Sequence, residues 1–353
     1  MKRPETTPLK LGYHMPAEWE PHEATWLSWP KDPLTWPNRV PQAQEVFAQM
    51  IEALTPNEKV HLLVDDERME EEVRKKLSLK KVNKENLLIH RIKTVDSWIR
   101  DYGPNFLVGA VREPPLQMAY NCWIFNAWGE KYETLMADNG LPKRIASLLH
   151  LPIFEPGIVL EGGSIDVNGR GTVLTTEQCL LNKNRNPQLS KHEVENYLKD
   201  YLGVSRALWL GEGIVGDDTD GHIDDITRFV AEDTLVTVIE EDPTDENYKP
   251  LQDNLSRLKS MKDQDGRPLK IVTLPMPGPV LDDEGGRLPA SYANFYIANR
   301  VVLLPLYRHS NDQKAMEILR GLFPRRQIVG IECNELVFGL GAIHCATQQQ
   351  PKL

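Results

Sequence analysis

Hydrophobic residues recur along this chain in a pattern of two short strands joined by a tight turn. Copies of the pattern lie at residues 105–111, 165–180, 227–241 and 292–307. Their turn centres are Gly109-Ala110, Asn168-Gly169, Glu232-Asp233 and Asn299-Arg300. Asn168-Gly169 is a strong hairpin signal, and the other three turns are weaker. The copies are roughly 60 residues apart, which predicts a repeated structural unit.

Helical spacing of apolar residues follows three of these hairpins. Residues 190–202 begin with Ser190 and carry Glu193 three positions later, which is the capping-box pattern of a helix N-terminus. Residues 245–258 and 311–322 also have the helical period. Near the N-terminus the pattern predicts a strand, a charged amphipathic helix and a second strand, at residues 59–64, 67–79 and 87–92.

A unit of strands plus a helix, repeated in this way, predicts quasi-symmetric radial packing. About five such units account for most of the 353 residues, and no Gly/Ser linker divides them. Residues 1–353 are therefore expected to form one domain. Because the inner ends of radially packed strands converge, the chemistry should use side chains that are far apart in the sequence.

The overall composition narrows the class of protein. Hydrophobic residues make up 41% of the chain and charged residues 26%, which is usual for a globular protein. No apolar run approaches the ~20 residues that span a bilayer, and residues 1–10 lack a signal-peptide core, so a cytoplasmic location is expected. The formal net charge of -10 disfavours nucleic acid and membrane as partners and suits a small cationic substrate. A homo-oligomer is left open.

The cysteines differ in their surroundings. The chain contains Cys122, Cys179, Cys333 and Cys345. None forms a Cys-x-x-Cys pair, and a reducing compartment disfavours disulfides. Cys122 and Cys179 lie among apolar residues and are interpreted as small buried hydrophobes. Cys345 lies in a Gly-rich polar segment after a predicted strand at 336–338. An exposed nucleophilic thiol and a buried thiol in a terminal strand are about equally supported there.

Residues 216–225 place five carboxylates around His222. A strand is expected through His222 and Asp224, which would point both side chains to one face. A histidine beside a carboxylate can act as acid and base near neutral pH. A calcium loop is excluded because Gly216 occupies the first ligand position, and no second His or Cys lies at zinc-ligand spacing. A solvated acidic loop with a structural histidine remains an alternative.

Two further segments carry charge next to glycine. Residues 98–104 are expected to be a strand end entering a turn. There Asp101 could accept two N–H groups of a planar cation, and Trp98 could cover its face. These residues alone favour a simpler alternative, a pair between Arg100 and Asp101. Glu161 stands before two glycines and either serves the site, by orienting the histidine or binding substrate, or faces water in a turn.

Together these segments resemble the agmatine deiminase and bacterial-type peptidylarginine deiminase family, whose members modify guanidino groups. The resemblance begins at Arg3 or Met15 and continues to Pro351, which is nearly the whole chain. Besides the segments above, the motifs that match in order are residues 15–22, 26–30 and 344–351. The resemblance implies the pentein fold, a five-bladed pseudo-symmetric α/β propeller, and neither a metal nor an organic cofactor.

The resemblance also implies a reaction and its residues. Agmatine would be hydrolysed to N-carbamoylputrescine and ammonia through a covalent amidino adduct on cysteine, as a step of putrescine and polyamine biosynthesis. The implied nucleophile, general acid/base and orienting residue are Cys345, His222 and Glu161. The residues implied to hold the guanidinium, line its pocket or receive a distal ammonium are Asp101, Asp224, Trp98 and Asp218.

The chain departs from the family pattern directly before the cysteine. Family members assigned to agmatine often show three glycines and an Asn before Ile-His-Cys, whereas this chain has Leu340 and Ala342 within residues 339–342. A differently shaped pocket is therefore expected. Asp218 favours an amine-tailed substrate over free arginine. The alternatives are an arginine or peptidylarginine deiminase, then an amidinotransferase, then a non-catalytic binding protein of the same fold.

Overall fold

The computed structural model describes residues 6–109 and 117–353. Its strands are β1 Tyr13–His14, β2 His22–Ser28, β3 Lys59–Val64, β4 Leu87–Arg91, β5 Asn105–Gly109, β6 Gln117–Asn121, β7 Ile153–Phe154, β8 Asp166–Val167, β9 Thr172–Thr176, β10 Arg206–Leu210, β11 Thr227–Ala231, β12 Thr234–Ile239, β13 Lys270–Pro275, β14 Tyr296–Ile297, β15 Val301–Leu306, β16 Gln327–Glu332 and β17 Gln348–Pro351. Its α-helices are α1 Val40–Leu54, α2 Glu67–Leu77, α3 Ile99–Tyr102, α4 Ala127–Glu130, α5 Leu141–Leu149, α6 Glu177–Leu180, α7 Lys191–Leu202, α8 Tyr248–Ser260 and α9 Asn311–Leu322.

Within the described residues the strands form five sheets of related topology. In three of them, β8-β9-β10, β11-β12-β13 and β14-β15-β16, an antiparallel pair is followed by a parallel pair. Helices α7, α8 and α9 lie in the crossovers between the parallel strands. The sheets β1-β5-β6-β7 and β17-β2-β3-β4 extend the same arrangement by one strand. The repeat predicted from the hydrophobic pattern is therefore a repeated sheet with its crossover helix.

One sheet joins the two ends of the described chain. Strand β17 pairs antiparallel with β2, with Gln349 opposite Thr25 and Gln350 opposite Ala24. The last strand thus completes a sheet that begins near the N-terminus. That the whole chain is a single domain of about five repeats stays a prediction, and this closure favours it.

The predicted hairpins over 165–180, 227–241 and 292–307 are confirmed, with their turns between β8 and β9, β11 and β12, and β14 and β15. Gly169 adopts a φ of 66°, a conformation that glycine reaches without steric cost. The fourth predicted hairpin, over 105–111, lies partly outside the described residues. Arg3, one of the two positions at which the family resemblance could begin, also lies outside them.

The predicted ends of the helices lie within three residues of the observed ends. Helix α7 has the predicted capping box, in which Ser190 accepts from the Glu193 N–H and the Glu193 carboxylate accepts from the Ser190 N–H. Helix α8 begins three residues later than predicted, because Asp245 accepts the Asn247 N–H and forms a turn instead. Helix α2 ends at Leu77 rather than at 79.

Apolar faces of the helices cover the sheets. In α1, the side chains of Phe47, Met50, Ile51 and Leu54 are fully buried, and burying each contributes about 1.5–3 kcal/mol relative to exposure. Strand β15 is apolar along its whole length because neighbouring elements cover both of its faces. Among the described helices, none combines the length and the apolar character that crossing a membrane requires.

Candidate active site

A cavity of about 180 Å³ brings together residues from distant parts of the chain. Four predicted site residues line it, namely Trp98, Asp101, Asp218 and Cys345. The other three are buried next to these, as described below. The lining also includes Asp32 and Asp96, and it contains no Lys or Arg from the described ranges. The cavity wall is therefore strongly acidic.

The backbone of Gly163 is the point on which three predicted polar residues converge. A β-carbon added to Gly163 would lie 2.6 Å from Nδ1 of His222, 2.8 Å from Oδ1 of Asp101 and 3.1 Å from Oδ2 of Asp224. Because glycine has no β-carbon, the three side chains can approach this backbone and one another closely. The structure therefore brings side chains that are far apart in the sequence together at one centre, as the radial pattern predicted.

Asp101 lies in α3, a single helical turn, and not at the predicted strand end. The prediction was wrong because four residues are too few to display a helical period. Oδ1 of Asp101 accepts the Gly163 N–H at 2.9 Å, and Oδ2 accepts Nε1–H of Trp128 at 2.9 Å. Burial raises the pKa of Asp101 to about 6, although the nearby His222 opposes that rise.

Arg100 is committed to partners other than Asp101. It donates to the carbonyl oxygen of His344 at 3.3 Å, to Oε1 of Gln349 at 2.7 Å and to Oε2 of Glu18 at 3.3 Å. The alternative in which Arg100 and Asp101 satisfy each other is therefore wrong. Both side chains are buried, so the carboxylate of Asp101 stays directed into the site.

His222 and Asp224 do not lie on a strand. Residues Ile223–Asp225 form a 3-10 turn that begins directly after His222. The period-2 argument failed because a local hydrogen bond holds this segment: Oδ2 of Asp217, five residues earlier, accepts the His222 N–H at 3.1 Å. Both His222 and Asp224 are nevertheless buried in the site, at 1% and 0% exposure. The alternative of a solvated acidic loop is therefore wrong.

The imidazole of His222 lies among acidic neighbours. Its Nδ1 is 3.7 Å from Oδ1 of Asp101, and neither ring nitrogen has a hydrogen-bond partner within the described residues. Burial alone lowers the pKa of His222, but Asp101, Cys179 and Glu161 outweigh burial and raise it well above the ordinary value. A protonated imidazole in this position can donate a proton to a leaving group.

Glu161 is completely buried, so the alternative of a turn glutamate facing water is wrong. Its Oε1 accepts from Nε of Arg185 at 2.6 Å, and its Oε2 has no partner among the residues described. One carboxylate oxygen of Glu161, the sulfur of Cys179 and a ring nitrogen of His222 lie within 4.8 Å of one another. Glu161 is thus close enough to influence the imidazole, and its orienting role stays a prediction.

Cys345 is 6% exposed and lines the cavity. Its sulfur is 3.7 Å from Oδ2 of Asp224 and 3.1 Å from Nδ2 of Asn294. Burial, followed by the charges of Asp224, Asp225 and Asp101, raises the pKa of the Cys345 thiol well above its ordinary value. Burial and these charges thus disfavour the thiolate of Cys345.

The loop before Cys345 packs against a tryptophan. Residues Val337–Gly339 form a 3-10 turn and not the predicted strand, because the Gly339 and Leu340 N–H groups donate back to Leu336 and Val337. β-Carbons at Gly339 and Gly341 would each lie 2.8 Å from the indole of Trp98. Leu340 has a φ of 65°, so a branched side chain occupies a conformation that favours glycine.

Asp218 lines the cavity but already has partners. Its Oδ1 is 3.3 Å from Nζ of Lys131, and its Oδ2 accepts from the Tyr132 hydroxyl at 2.6 Å. Asp96 is more deeply buried, and its Oδ2 accepts from the Thr35 hydroxyl at 3.0 Å. Burial is the largest cause that raises the pKa of Asp96 to about 7. Two carboxyl groups with hydrogen bonds of their own thus line the cavity wall.

Several residues of the site were not predicted as site residues from the sequence. They are Trp128, which binds Asp101, His344, which binds Asp224, Asn294, which binds the sulfur, and Asp96 of the cavity wall. His344 adjoins Cys345 in a motif that the sequence singled out, yet its role depends on contacts with Glu18 and Asp224 at 2.8 and 2.7 Å. Only the position of His344 was visible beforehand.

Two groups of buried side chains have the atom types of metal ligands. Glu161, Cys179 and His222 form one, and Asp224, Asp225 and Cys345 the other. The first already contains a cation, because Arg185 pairs with Glu161. In the second, the N–H groups of Asn294 and His344 engage all three residues. Neither donor set is arranged for a divalent ion.

Five sheets around an acidic cavity that contains a cysteine are typical of the pentein fold of guanidine-modifying enzymes. Residues 14–351 match the family described as Porphyromonas-type peptidyl-arginine deiminase, and the chain belongs to this family. It is 38% identical over 377 residues to the agmatine deiminase of Medicago truncatula, with 99% of both chains covered. The predictions of the pentein fold, a five-bladed α/β propeller, and of a deiminase are confirmed.

Solved structures agree with this assignment. The agmatine deiminase of Enterococcus faecalis superposes with a TM-score of 0.90 at 35% identity and covers 100% of both chains. A form of the C. jejuni agmatine deiminase with substrate bound gives a TM-score of 0.85 at 30% identity and covers 96% of both. The resemblance thus extends over the whole fold, including the segments that build the cavity.

Proposed function

We propose that this protein hydrolyses agmatine to N-carbamoylputrescine and ammonia. The observation that carries the proposal is the set of buried polar atoms around Gly163. Oδ1 of Asp224, Oε2 of Glu161 and both ring nitrogens of His222 lack hydrogen-bond partners within the described residues, and Oδ2 of Asp224 lies 3.7 Å from the sulfur of Cys345. Leaving such groups unpaired is costly. A guanidinium offers N–H donors to the carboxylates and a carbon to the sulfur.

The planar guanidinium of the substrate would be bound at its N–H groups and at one of its faces. Asp101 and Asp224 accept its N–H groups, and Trp98 covers one side of the alkylguanidinium. The distal ammonium then reaches the acidic wall at Asp218, with Asp96 as a second carboxyl. Free arginine would bring a carboxylate into the same acidic wall, where like charges repel. This charge argument favours agmatine, and the names of the full-length relatives agree with it.

Binding the cation also activates the nucleophile. The guanidinium offsets the negative charges that disfavour the thiolate of Cys345, so the thiol gives its proton to solvent and the thiolate becomes accessible. The sulfur then attacks the guanidinium carbon and forms a C–S bond. His222 gives its proton to the departing nitrogen, the C–N bond breaks, and ammonia leaves. A covalent S-alkylthiouronium on Cys345 remains.

Hydrolysis of this adduct reverses the role of the histidine. His222, now neutral, takes a proton from water as the water oxygen bonds to the same carbon. The C–S bond then breaks and the O–H proton on the same carbon passes to the departing sulfur, so a neutral ureido product leaves and Cys345 is a thiol again. His222 keeps the proton that it took from water and is protonated again. Glu161 keeps the imidazole oriented through both steps. The residues supply these steps without a metal or an organic cofactor.

The setting of the reaction is part of the proposal. N-Carbamoylputrescine is one hydrolysis away from putrescine, which places the reaction in polyamine biosynthesis. All four cysteines are free and buried, as is typical of a reducing cytoplasm. We propose that one domain carries the whole site, with no nucleic acid or membrane partner, and that a homo-oligomer is compatible with it.

The substrate prediction is tested by comparing guanidino compounds on the same enzyme. We expect kcat/KM for agmatine to exceed that for free arginine and for a peptide with C-terminal arginine by at least about 100-fold, because their carboxylates meet the acidic wall. Ammonia release and the ureido product are measured together. Arginine or the peptide being the better substrate would refute the agmatine assignment while leaving deimination intact.

The acidic wall predicts a specific effect of charge removal. Asp218→Asn and Asp96→Asn should each raise KM for agmatine about 10-fold with little change in kcat, because each removes a negative charge that attracts the distal ammonium and leaves the reacting groups in place. Butylguanidine, which has no distal amine, should be processed equally well by wild type and variants. Asp253→Asn, at an exposed position of α8, is the matched control. Equal losses of kcat/KM with agmatine and with butylguanidine would exclude a role of Asp218 and Asp96 in recognising the distal amine.

A further inference from the structure

Asn294 lies in a buried turn directly before β14 and was not among the predicted site residues. Its exposure is 0%. The turn is held from both sides, because Ser291 Oγ donates to the carbonyl oxygen of Asp225 at 2.7 Å and accepts the Ala293 N–H at 3.1 Å. Asn294 is therefore presented to the site by a rigid backbone.

The orientation of the Asn294 carboxamide follows from its backbone neighbours. Its Oδ1 accepts the N–H of His344 at 2.8 Å and that of Cys345 at 3.4 Å. A backbone N–H can only donate, so the oxygen of the carboxamide must face these two groups. The NH₂ group must then point to the opposite side.

On that side the NH₂ group meets two acceptors. Nδ2 of Asn294 is 2.9 Å from Oδ1 of Asp225 and 3.1 Å from the sulfur of Cys345. Each of its two hydrogens thus has one acceptor. Since Asp225 takes the first hydrogen, the second is directed at the sulfur.

The electrostatic surroundings give this contact its importance. Asp224, Asp225 and Asp101 surround the sulfur and, together with burial, disfavour its negative form. A fixed N–H donor at 3.1 Å acts in the opposite direction, because hydrogen bonds to a charged acceptor are shorter and stronger than neutral ones. It does so without moving as charge develops.

We propose that Asn294 is a catalytic residue whose Nδ2–H stabilises the thiolate of Cys345, while its Oδ1 anchors the backbone of the cysteine loop. The inference rests on Cys345 being the nucleophile of the proposed function. When the S–H bond breaks, the proton passes to solvent in the free enzyme, and the electron pair stays on the sulfur that faces the amide N–H. An asparagine that only anchored the loop would not affect this ionisation.

Alkylation of Cys345 by iodoacetamide tests the proposal without any substrate. The thiolate bonds to the CH₂ carbon and iodide leaves, so below the thiol pKa the rate follows the thiolate fraction. We expect Asn294→Ala and Asn294→Asp to lower the rate at Cys345 at least about 10-fold between pH 7 and 9, measured by mass spectrometry of the labelled peptide. The rate against pH should rise at a higher pH than in wild type.

The two variants separate the two roles of the side chain. Aspartate keeps an oxygen for the His344 and Cys345 amides but offers at most one proton for two acceptors, so loss of the donor lowers the rate in both variants. A normal rate in Asn294→Asp would reduce Asn294 to a loop anchor and overturn the proposal, and this variant remains informative if the alanine variant does not fold. Asn254→Ala, another fully buried asparagine with two backbone hydrogen bonds, is the control and should alkylate like wild type.

The same measurement distinguishes failure of the inference from failure of the proposed function. A lowered alkylation rate in an enzyme that does not deiminate any guanidino compound would support the role of Asn294 at the sulfur and refute the proposed reaction. Active deimination by the wild-type enzyme, with unchanged alkylation rates in both variants, would support the proposed reaction and refute the role of Asn294 at the sulfur. In the expected case kcat for agmatine falls about 10- to 100-fold in both variants, and KM changes little.

Discussion

Replacing Cys345 by alanine is expected to abolish ammonia release from agmatine, with kcat reduced by at least about 10⁴-fold. The proposed reaction forms and breaks a bond to this sulfur, so no other group can complete the same sequence of steps. The variant should still bind agmatine, because Asp101 and Asp224 are intact. Turnover is measured by ammonia release and binding by calorimetry.

A labelling experiment identifies the nucleophile independently. A haloacetamidine carries a guanidinium-like cation and should modify Cys345 first, as mapped by mass spectrometry. Cys122→Ala is the control, because Cys122 is also buried but lies outside the cavity lining, and its turnover should stay within about twofold of wild type. Undiminished turnover in Cys345→Ala, or first labelling of Cys122, would refute the assignment.

The second large effect is expected from a single methyl group. Gly163→Ala should lower kcat/KM at least about 100-fold, because the new β-carbon would lie within 3.1 Å of polar atoms of His222, Asp101 and Asp224. These side chains can yield only by leaving the positions that face the substrate. Since the clash is with side-chain ends, the folded state should survive with a modest loss of stability, about 1–3 kcal/mol.

The matched control is Gly140→Ala. At Gly140 no atom lies within 4 Å of the added β-carbon, and its φ of -82° is ordinary for alanine. This variant should keep wild-type activity and melting temperature. Full activity of Gly163→Ala, with a normal melting curve, would mean that the three side chains do not need their observed positions. Loss of folding would appear as a lowered transition in the melting curve.

Local patterns predicted the elements whose side chains pack in a regular way. The hairpin at Asn168-Gly169 and the helix after Ser190 follow from a turn that needs positive φ and from a capping box, both of which act within a few residues. The segments around Asp101, His222 and Val337 were predicted to contain strands and are short helical turns. These turns are too short to show a helical period, and hydrogen bonds to residues a few positions away shape those at His222 and Val337.

The candidate site also contains some residues that the sequence indicated and others that it did not. Residues with unusual chemistry for their surroundings, such as Cys345 and His222, stand out in the sequence as glycine-flanked or carboxylate-flanked positions. Asn294 and Asp96 do not, because an asparagine or aspartate is unremarkable until its neighbours are known. Asp218 was visible, but its contacts with Lys131 and Tyr132 were not.

The amino-acid sequence by itself determined the repeated strand-and-helix unit and the candidates for the reactive groups, since short-range turn chemistry and residue type need no partner. Only the tertiary structure decided which groups meet at Gly163, how the sulfur is hydrogen-bonded and how far the carboxyl pKa values rise. The physical reason is that burial, hydrogen bonding and charge–charge energies depend on distances between residues separated by up to hundreds of positions in the chain.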